Sequence, residues 1–389
     1  MLCSQRLRAT AQVGVCPTMP HILTINAGSS SVRFAIFSSG ARPARLLDGK
    51  LERLGSEAAA VTADRLAQRL KAQSAIAAPD AIGHRVVHGM LHSQPERVSP
   101  TLLTELRSIA SLDPEHLPRE IELIEAMQRH YPNVPQVACF DTAFHRGMPA
   151  EATLLPIPRR YAAKGVQRYG FHGLSYTYLM QELRRLGDRA ASRGRVILAH
   201  LGSGASMAAV LDGRSVDTSM GFTPAAGLVM GTRSGDLDPG LASYLMLSES
   251  LSAAQFQTMV NEQCGLLGIS ESSADVRDLL EREATDSRAR EALAIFCYQA
   301  KKWIGAYTAA LGGLDTLVFA GGIGENASAV RRRICDGLQC LGIELDDSLN
   351  SEHAACISTG RVAVRVIRTD EESVIASLTA QCVGISTEE

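Results

Sequence analysis

Apolar positions along the chain fall into two rhythms. A continuous apolar run at Ile22–Asn26 breaks at AGSSS and resumes at Val32–Phe37, and two β-rich runs around a small-residue break predict a hairpin with a Gly/Ser tip. The same plan returns at Val196–Leu201, GSGAS and Met207–Leu211. The copies lie about 175 residues apart, nearly half the chain, which predicts two domains of related plan and not a short tandem repeat. The helical rhythm is clearest at Leu293, Phe296, Cys297, Ala300, Ile304, Tyr307 and Leu311, spaced i, i+3, i+4, i+7 up to a Gly312–Gly313 stop. Leu314–Ala320 reads as a strand, GGIGEN as the turn after it, and Ala327 to Gly342 as a helix. A last strand, Val362–Ile367, leads through the acidic cluster Thr369–Ser373 to a short helix ending near Cys382. The stretch Gly40–Pro79 is rich in Ala and charge, yields one weak amphipathic helix around Leu66 and Leu70, and offers no chemistry. Strands and helices alternate through the second half, so the fold class is α/β.

Length agrees with two domains, since 389 residues is more than twice a typical domain of about 150. Charge narrows the ligand. With 39 Lys and Arg against 41 Asp and Glu the net charge is −2, so nothing draws nucleic acid or an anionic membrane to the chain as a whole, and an anionic ligand must be met by locally placed groups. Nine scattered cysteines form no C-x-x-C and no zinc spacing, which reads as free thiols in a reducing cytoplasm. No apolar run reaches the roughly 18 residues of a membrane span. Residues 1–18 carry Arg6 and Arg8 without the apolar core of a signal peptide and are expected to be a disordered extension, with translation starting at Met1 or at Met19.

Candidate chemistry sits at the tips. NAGSSS (Asn26–Ser31) and GSGAS (Gly202–Ser206) expose backbone N–H groups and hydroxyls suited to phosphate oxygens. Either alone is equally an ordinary turn; two matched tips plus Gly321–Asn326 favour a nucleotide held between domains, and no P-loop or G-x-G-x-x-G after a strand competes. Arg85 in GHRVVHG and Arg233 in GTRSGD lie among glycines, so a guanidinium there can approach a phosphate closely or simply be ion-paired. Asp141 in CFDTAFH ends an apolar run, where α/β sheets place ligands and also place N-caps. His172 in RYGFHG is a candidate donor or a packed histidine. Asp370–Glu372 is a candidate Mg²⁺ carboxylate run or a solvated one.

Taken together, NAGSSSVRFAIF, GHRVVHG, FDTAFH, RYGFHG, AHLGSGASMAAV, the long block Ser215–Pro239, GLLGIS-ESSADVRDL and GGIGEN resemble the acetate kinase family, in family order from about residue 22 to 377. The resemblance implies two duplicated ribonuclease H-like (actin-like ATPase) domains closing over a nucleotide, residues 19–145 plus 373–389 and residues 146–372. It implies reversible, direct in-line transfer of the ATP γ-phosphoryl to acetate, giving acetyl phosphate and ADP, with Mg²⁺ or Mn²⁺, in a cytoplasmic homodimer. Other readings are a kinase for propionate or another short carboxylate, and a non-catalytic nucleotide-binding protein. By resemblance, Asn26 and Glu371 hold the metal; Ser29–Ser31 and Arg33 form the first phosphate tip; His200, Gly202, Ser203 and Gly204 form the second. Asp275, Val276 and Arg277 lie beside the nucleotide sugar and Gly322, Ile323, Gly324 and Asn326 at the adenosine. Asp141, His172, Arg233 and Arg85 are catalytic, with Arg85, Val87, His116, Phe171 and Pro224 around the substrate. A carboxylate is already ionised at pH 7 and needs no general base, so Asp141 is expected to organise Mg²⁺ and an arginine. The chain departs from the family at Arg33 (usually Lys), Ser203 (usually Asn), Asp370 (usually Asn) and in DPEHLP, where Glu115 and Leu117 replace an apolar residue and an asparagine; specificity for acetate is the expectation this touches most.

Overall fold

The structure is a computed structural model that describes residues 19–28, 31–40, 43–52, 59–72, 78–114 and 116–385. The expected extension 1–18, Ser29, Ser30 and Glu115 lie outside the described residues. Among the described residues eleven strands form two sheets. The first comprises β1 (His21–Ala27), β2 (Ser31–Ser38), β3 (Arg45–Glu52), β4 (Ala81–Val86), β5 (Glu96–Arg97) and β6 (Gln136–Phe140), in the order β3-β2-β1-β4-β6-β5. The second comprises β7 (Arg195–Leu201), β8 (Ala205–Leu211), β9 (Arg214–Thr218), β10 (Thr316–Ala320) and β11 (Ala363–Val366), in the order β11-β10-β7-β8-β9. Both begin with an antiparallel meander, β1-β2-β3 or β7-β8-β9, and add two parallel strands beside its first member; the first sheet then ends in the antiparallel edge strand β5. The spacing of the two hairpins therefore reported a duplicated plan.

Continuous apolar runs on β1 and β7 follow from cover on both faces. Leu23 and Ile25 pack on Leu66, Leu70, Leu123 and Met127 of the helices Ala59–Lys71 and Leu117–His130. Ile22, Ala35 and Phe37 pack on Ala376 and Ala380 of the helix Glu371–Val383, so the C-terminal segment returns to the first sheet. In β7 the faces alternate strictly. Ile197, Ala199 and Leu201 meet Leu293, Phe296 and Ile304 of the helix Ser287–Ala310, while Val196 and Leu198 meet Tyr176, Leu179 and Leu183 of the helix Gly173–Arg185. Asp286 starts the long helix by accepting from the Arg288 and Ala289 amides (2.9 and 3.3 Å), and Gly312 ends it at φ +67°. Leu174 reaches Val374 and Ile375, so the helices Gly173–Arg185 and Glu371–Val383 join the two halves and set the cleft between them.

Four local expectations are corrected. Arg45–Glu52, within the stretch read as lacking chemistry, is a meander strand on the cleft wall. GGIGEN is a short helix, Gly321–Asn326, and not a turn; Gly321 sits at φ +77° hard against Leu201, where a Cβ would lie 2.7 Å from the carbonyl oxygen, so only glycine makes that junction. The helix expected from Ala327 to Gly342 ends at Cys335 because Gly337 turns at φ +77°, and the last strand is Ala363–Val366. The described cysteines are all free thiols. No helix among the described residues is long and apolar enough to cross a membrane.

Candidate active site

The two hairpin tips face one another across a cleft of about 1000 Å³. Asn26, Gly28, Ser31 and Arg33 line it from the first sheet, His200, Gly202, Ser203 and Gly204 from the second, and Gly322 and Glu371 from the helices between. β3 adds Arg45, Asp48 and Lys50. These are residues that sequence reasoning missed, because the strand RLLDGKLE mixes charged and apolar positions without a strict period.

Arg85 and Asp141 occupy the centre. Arg85 is the next-to-last residue of β4 and pairs with Cys139 of the parallel β6, two residues before Asp141, so both side chains stand at the C-terminal ends of neighbouring strands. The guanidinium donates from Nε (2.9 Å) and Nη2 (2.5 Å) to Asp141 Oδ2, and from Nη1 to the Ala27 carbonyl (3.1 Å). Burial opposes the Arg85 charge, but Asp141 and Glu371 outweigh it and hold the pKa above its ordinary value. Asn26 donates from Nδ2 to Glu371 Oε2 (2.8 Å) and Glu372 Oε1 (3.1 Å). Burial raises the pKa of both glutamates; Asp141 adds to the effect on Glu371, and Glu371 to that on Glu372. The Asn26 amide is thereby turned so that its Oδ1 stays available beside crowded carboxylates, a donor set that fits a hard divalent cation. Among the described residues no three Asp, Glu, His or Cys side chains converge on one point.

His172 stands at the head of the helix Gly173–Arg185 with φ +59°, a left-handed conformation rare outside glycine. Its place is fixed from behind: the Gly173 amide donates to the Asp141 carbonyl (2.8 Å), and a Cβ on Gly173 would come within 2.1 Å of that oxygen. The His172 ring stacks on His200 at 4.3 Å, and its Nδ1 lies 2.8 Å from Ser206 Oγ, which also bonds the Tyr176 hydroxyl. Burial foremost, then His200, Arg85 and Arg233, lower the His172 pKa well below the usual value, and burial takes His200 down to about 4. Both rings are neutral at pH 7. Ser206 is fully buried, so its hydroxyl serves His172 and not a phosphate, a correction to the expectation for the GSGAS tip.

A recess of about 30 Å³ opens beside the cleft, lined by Arg85, Val87, His116, Phe171, His172, Met220, Pro224 and Arg233. It joins two guanidinium groups to apolar walls and has room for a ligand of only a few atoms. The loop carrying Arg233 is tied to the second tip, Gly231 N donating to Ser203 O (3.0 Å). His116 Nδ1 lies 2.9 Å from the buried Asp113 carboxylate. Behind the recess Glu120 Oε2 accepts from the Val87 amide (3.0 Å), and burial pushes its pKa up to about 8. Asp113 opens the DPEHLP segment but had no role of its own in sequence, and Glu120 was invisible there because it lies inside an ordinary amphipathic helix.

The rest of the expected nucleotide set stands off the cleft wall. Asp275 caps the helix Val276–Arg282, accepting from Arg277 N (2.9 Å) and pairing with that guanidinium (2.6 Å). This segment adjoins the second tip through Ala274, which lies against Gly231. The Val276 side chain belongs to the core, so its expected role narrows to the backbone. Ile323 packs on the same core, Gly324 is buried, and Asn326 donates to its own helix at Gly322 O (2.9 Å).

Two sheets of one strand order around a cleft tipped with glycines and arginines define the class: a two-domain, actin-like ATPase fold. Within that class the chain belongs to the acetokinase family, whose model matches residues 56–377, and it is therefore a kinase. An acetate kinase of Rhodopseudomonas palustris is 40% identical over 385 residues, covering 91% of this chain and 96% of that protein. The crystal structure of Porphyromonas gingivalis acetate kinase superposes with a TM-score of 0.84 at 33% identity, covering 94% of this chain and 100% of that one. A propionate kinase structure from Francisella tularensis gives a TM-score of 0.84 at 36% identity, covering 93% and 100%.

Proposed function

We propose that this kinase transfers the γ-phosphoryl of ATP to acetate, reversibly and in line, forming acetyl phosphate and ADP. One observation carries the reading: the small recess that pairs Arg85 and Arg233 with Val87, Phe171 and Pro224 opens where the two phosphate tips converge. The guanidinium groups suit a carboxylate and the apolar walls suit a short alkyl group. The acceptor arrives ionised, so no proton needs removing; Asp141, engaged by Arg85, orients that arginine and not a base reaction. Charge on the phosphoryl in flight falls to Arg85, Arg233 and the His172 ring, each donor contributing about 3–4 kcal/mol at the transition state.

In this reading Glu371 and Asn26 would hold Mg²⁺, or Mn²⁺, and the ion's positive charge would neutralise phosphate oxygens. Ser31, Arg33, His200, Gly202, Ser203 and Gly204 receive the phosphates, with the Asp275–Arg277 and Gly322–Asn326 segments on the nucleoside side. Two lobes, residues 19–145 with 373–389 and residues 146–372, close on the substrates. The protein works in the cytoplasm as a homodimer, a state supported by the apolar helix Pro239–Ser248, none of whose residues is buried and whose Tyr244 and Leu247 are 67% and 82% exposed.

A second acceptor, propionate, has support from the similarity to the Francisella tularensis propionate kinase structure. Trapping the acyl phosphate with hydroxylamine while varying acetate, propionate and butyrate separates the two: the acid with the highest kcat/KM is the acceptor, and a clear preference for propionate overturns the acetate assignment.

A further inference from the structure

Beside the catalytic histidine lies a hydrogen-bonded chain that its role alone does not explain. Ser206, the second residue of β8, and Tyr176, on the first turn of the helix Gly173–Arg185, are both fully buried. The Tyr176 ring is clamped by Phe144 (centroids 5.7 Å apart) and His145 (5.6 Å). Its hydroxyl bonds Ser206 Oγ, the one acceptor that meets it among the described residues, and Ser206 Oγ in turn lies 2.8 Å from His172 Nδ1.

Counting protons along this chain gives a single consistent arrangement. A buried phenol with an acceptor in reach donates its hydrogen to it, and burial pushes the Tyr176 pKa upward, so that hydrogen is retained. Tyr176 therefore donates to Ser206. The Ser206 hydrogen is then directed to His172 Nδ1, which accepts, and the ring proton of the neutral imidazole resides on Nε2. The reverse order, Nδ1–H to Ser206 and Ser206 to Tyr176, strands the phenol hydrogen without an acceptor, and an arrangement in which Ser206 accepts from both neighbours strands its own, because His172 Nδ1 and the Tyr176 hydroxyl are the partners its Oγ meets among the described residues. The Nε2 edge faces the transfer site: a Cβ on Gly204 would lie 3.4 Å from His172 Nε2 and 3.8 Å from Arg233 Nη1.

We propose that Tyr176 and Ser206 are positioning residues that set the tautomer of His172, so that its Nε2 presents a permanent N–H donor to the cleft. A neutral donor binds a phosphoryl oxygen without adding a further cation beside Arg85 and Arg233. The kinetic side of the proposal rests on the phosphoryl-transfer reading, whereas the tautomer does not.

The test is ¹⁵N NMR of histidine-labelled protein at pH 7, with His172 assigned by its loss in His172→Gln. The expected spectrum shows a protonated Nε2 and an unprotonated Nδ1; an Nδ1–H tautomer or an imidazolium overturns the proposal whatever the protein phosphorylates. In Tyr176→Phe, which keeps the clamped ring, the signal shifts toward a tautomer mixture, and an unchanged tautomer rejects a role for Tyr176. With acetate, Tyr176→Phe and Ser206→Ala are each expected to lower kcat by about tenfold with both KM values within twofold. In a His172→Ala background neither has a further effect; full additivity there, or a loss of KM in place of kcat, marks a merely structural role and contradicts the proposal. If Tyr176→Phe does not fold, Ser206→Ala decides the kinetic arm by itself.

Discussion

At the scale of single residues the proposed transfer depends on two arginines placed at the recess. Arg233→Ala is expected to lower kcat by about 10²–10³ with the fold intact, which steady-state kinetics and a thermal melt check together. Arg85→Ala should lose as much turnover and also stability, because it leaves the fully buried Asp141 carboxylate without its partner. Glu120 makes a separate prediction. Its pKa is about 8 in the folded chain against 4.5 for an ordinary glutamate, so between those values the fold holds a proton that the unfolded chain has released. Stability from this group is fully present below the lower value and is lost as pH rises through the higher one. Glu120→Gln should flatten that decline and raise the melting temperature most at pH 8–9; a wild-type-like slope would show that Glu120 is not the titrating group. Arg85 and His172 were legible from their glycine-flanked motifs and Asp141 from its place at the end of an apolar run, each singled out by its combination with the other motifs. Tyr176, Asp113 and Glu120 were not, since each draws its meaning from a partner: Tyr176 from Ser206, 30 residues away, Asp113 from His116, and Glu120 from Val87, 33 residues away.

At the scale of elements, legibility followed burial. β1 and β7 are covered on both faces and so appear as unbroken apolar runs, and the stripe Leu293 to Leu311 is buried along its length. β3 and β9 escaped notice because meander edges carry mixed residues, and GGIGEN reads as a turn because helix propensity disfavours glycine; packing of Gly321 against Leu201 overrides it. The junction between β6 and the helix Gly173–Arg185 is the element that aims His172. Gly173→Ala drives a Cβ into the Asp141 carbonyl at 2.1 Å, and the backbone shift it forces should cost about 1–3 kcal/mol of stability. Because His172 moves with it, turnover should fall by more than the stability loss explains, a result that denaturant titration and kcat measured on one sample would reveal.

At the scale of the whole molecule, two lobes of one plan enclose a cleft; in the proposed function its arginines, His172, His200 and backbone amides meet the polyanion locally, so a chain of net charge −2 needs no bulk positive charge to take a nucleotide. The exposed apolar helix Pro239–Ser248 follows directly on the Arg233 loop, so a partner seated there would brace the recess. Leu247→Asp is expected to convert a dimer to a monomer in light scattering, and an unchanged mass would remove this face from the interface. The central claim is the acceptor. Hydroxamate formation from ATP with acetate, propionate and butyrate measures it most directly: the account predicts acyl phosphate with the highest kcat/KM for acetate, and ATP binding without acyl phosphate from any of the three acids would contradict it.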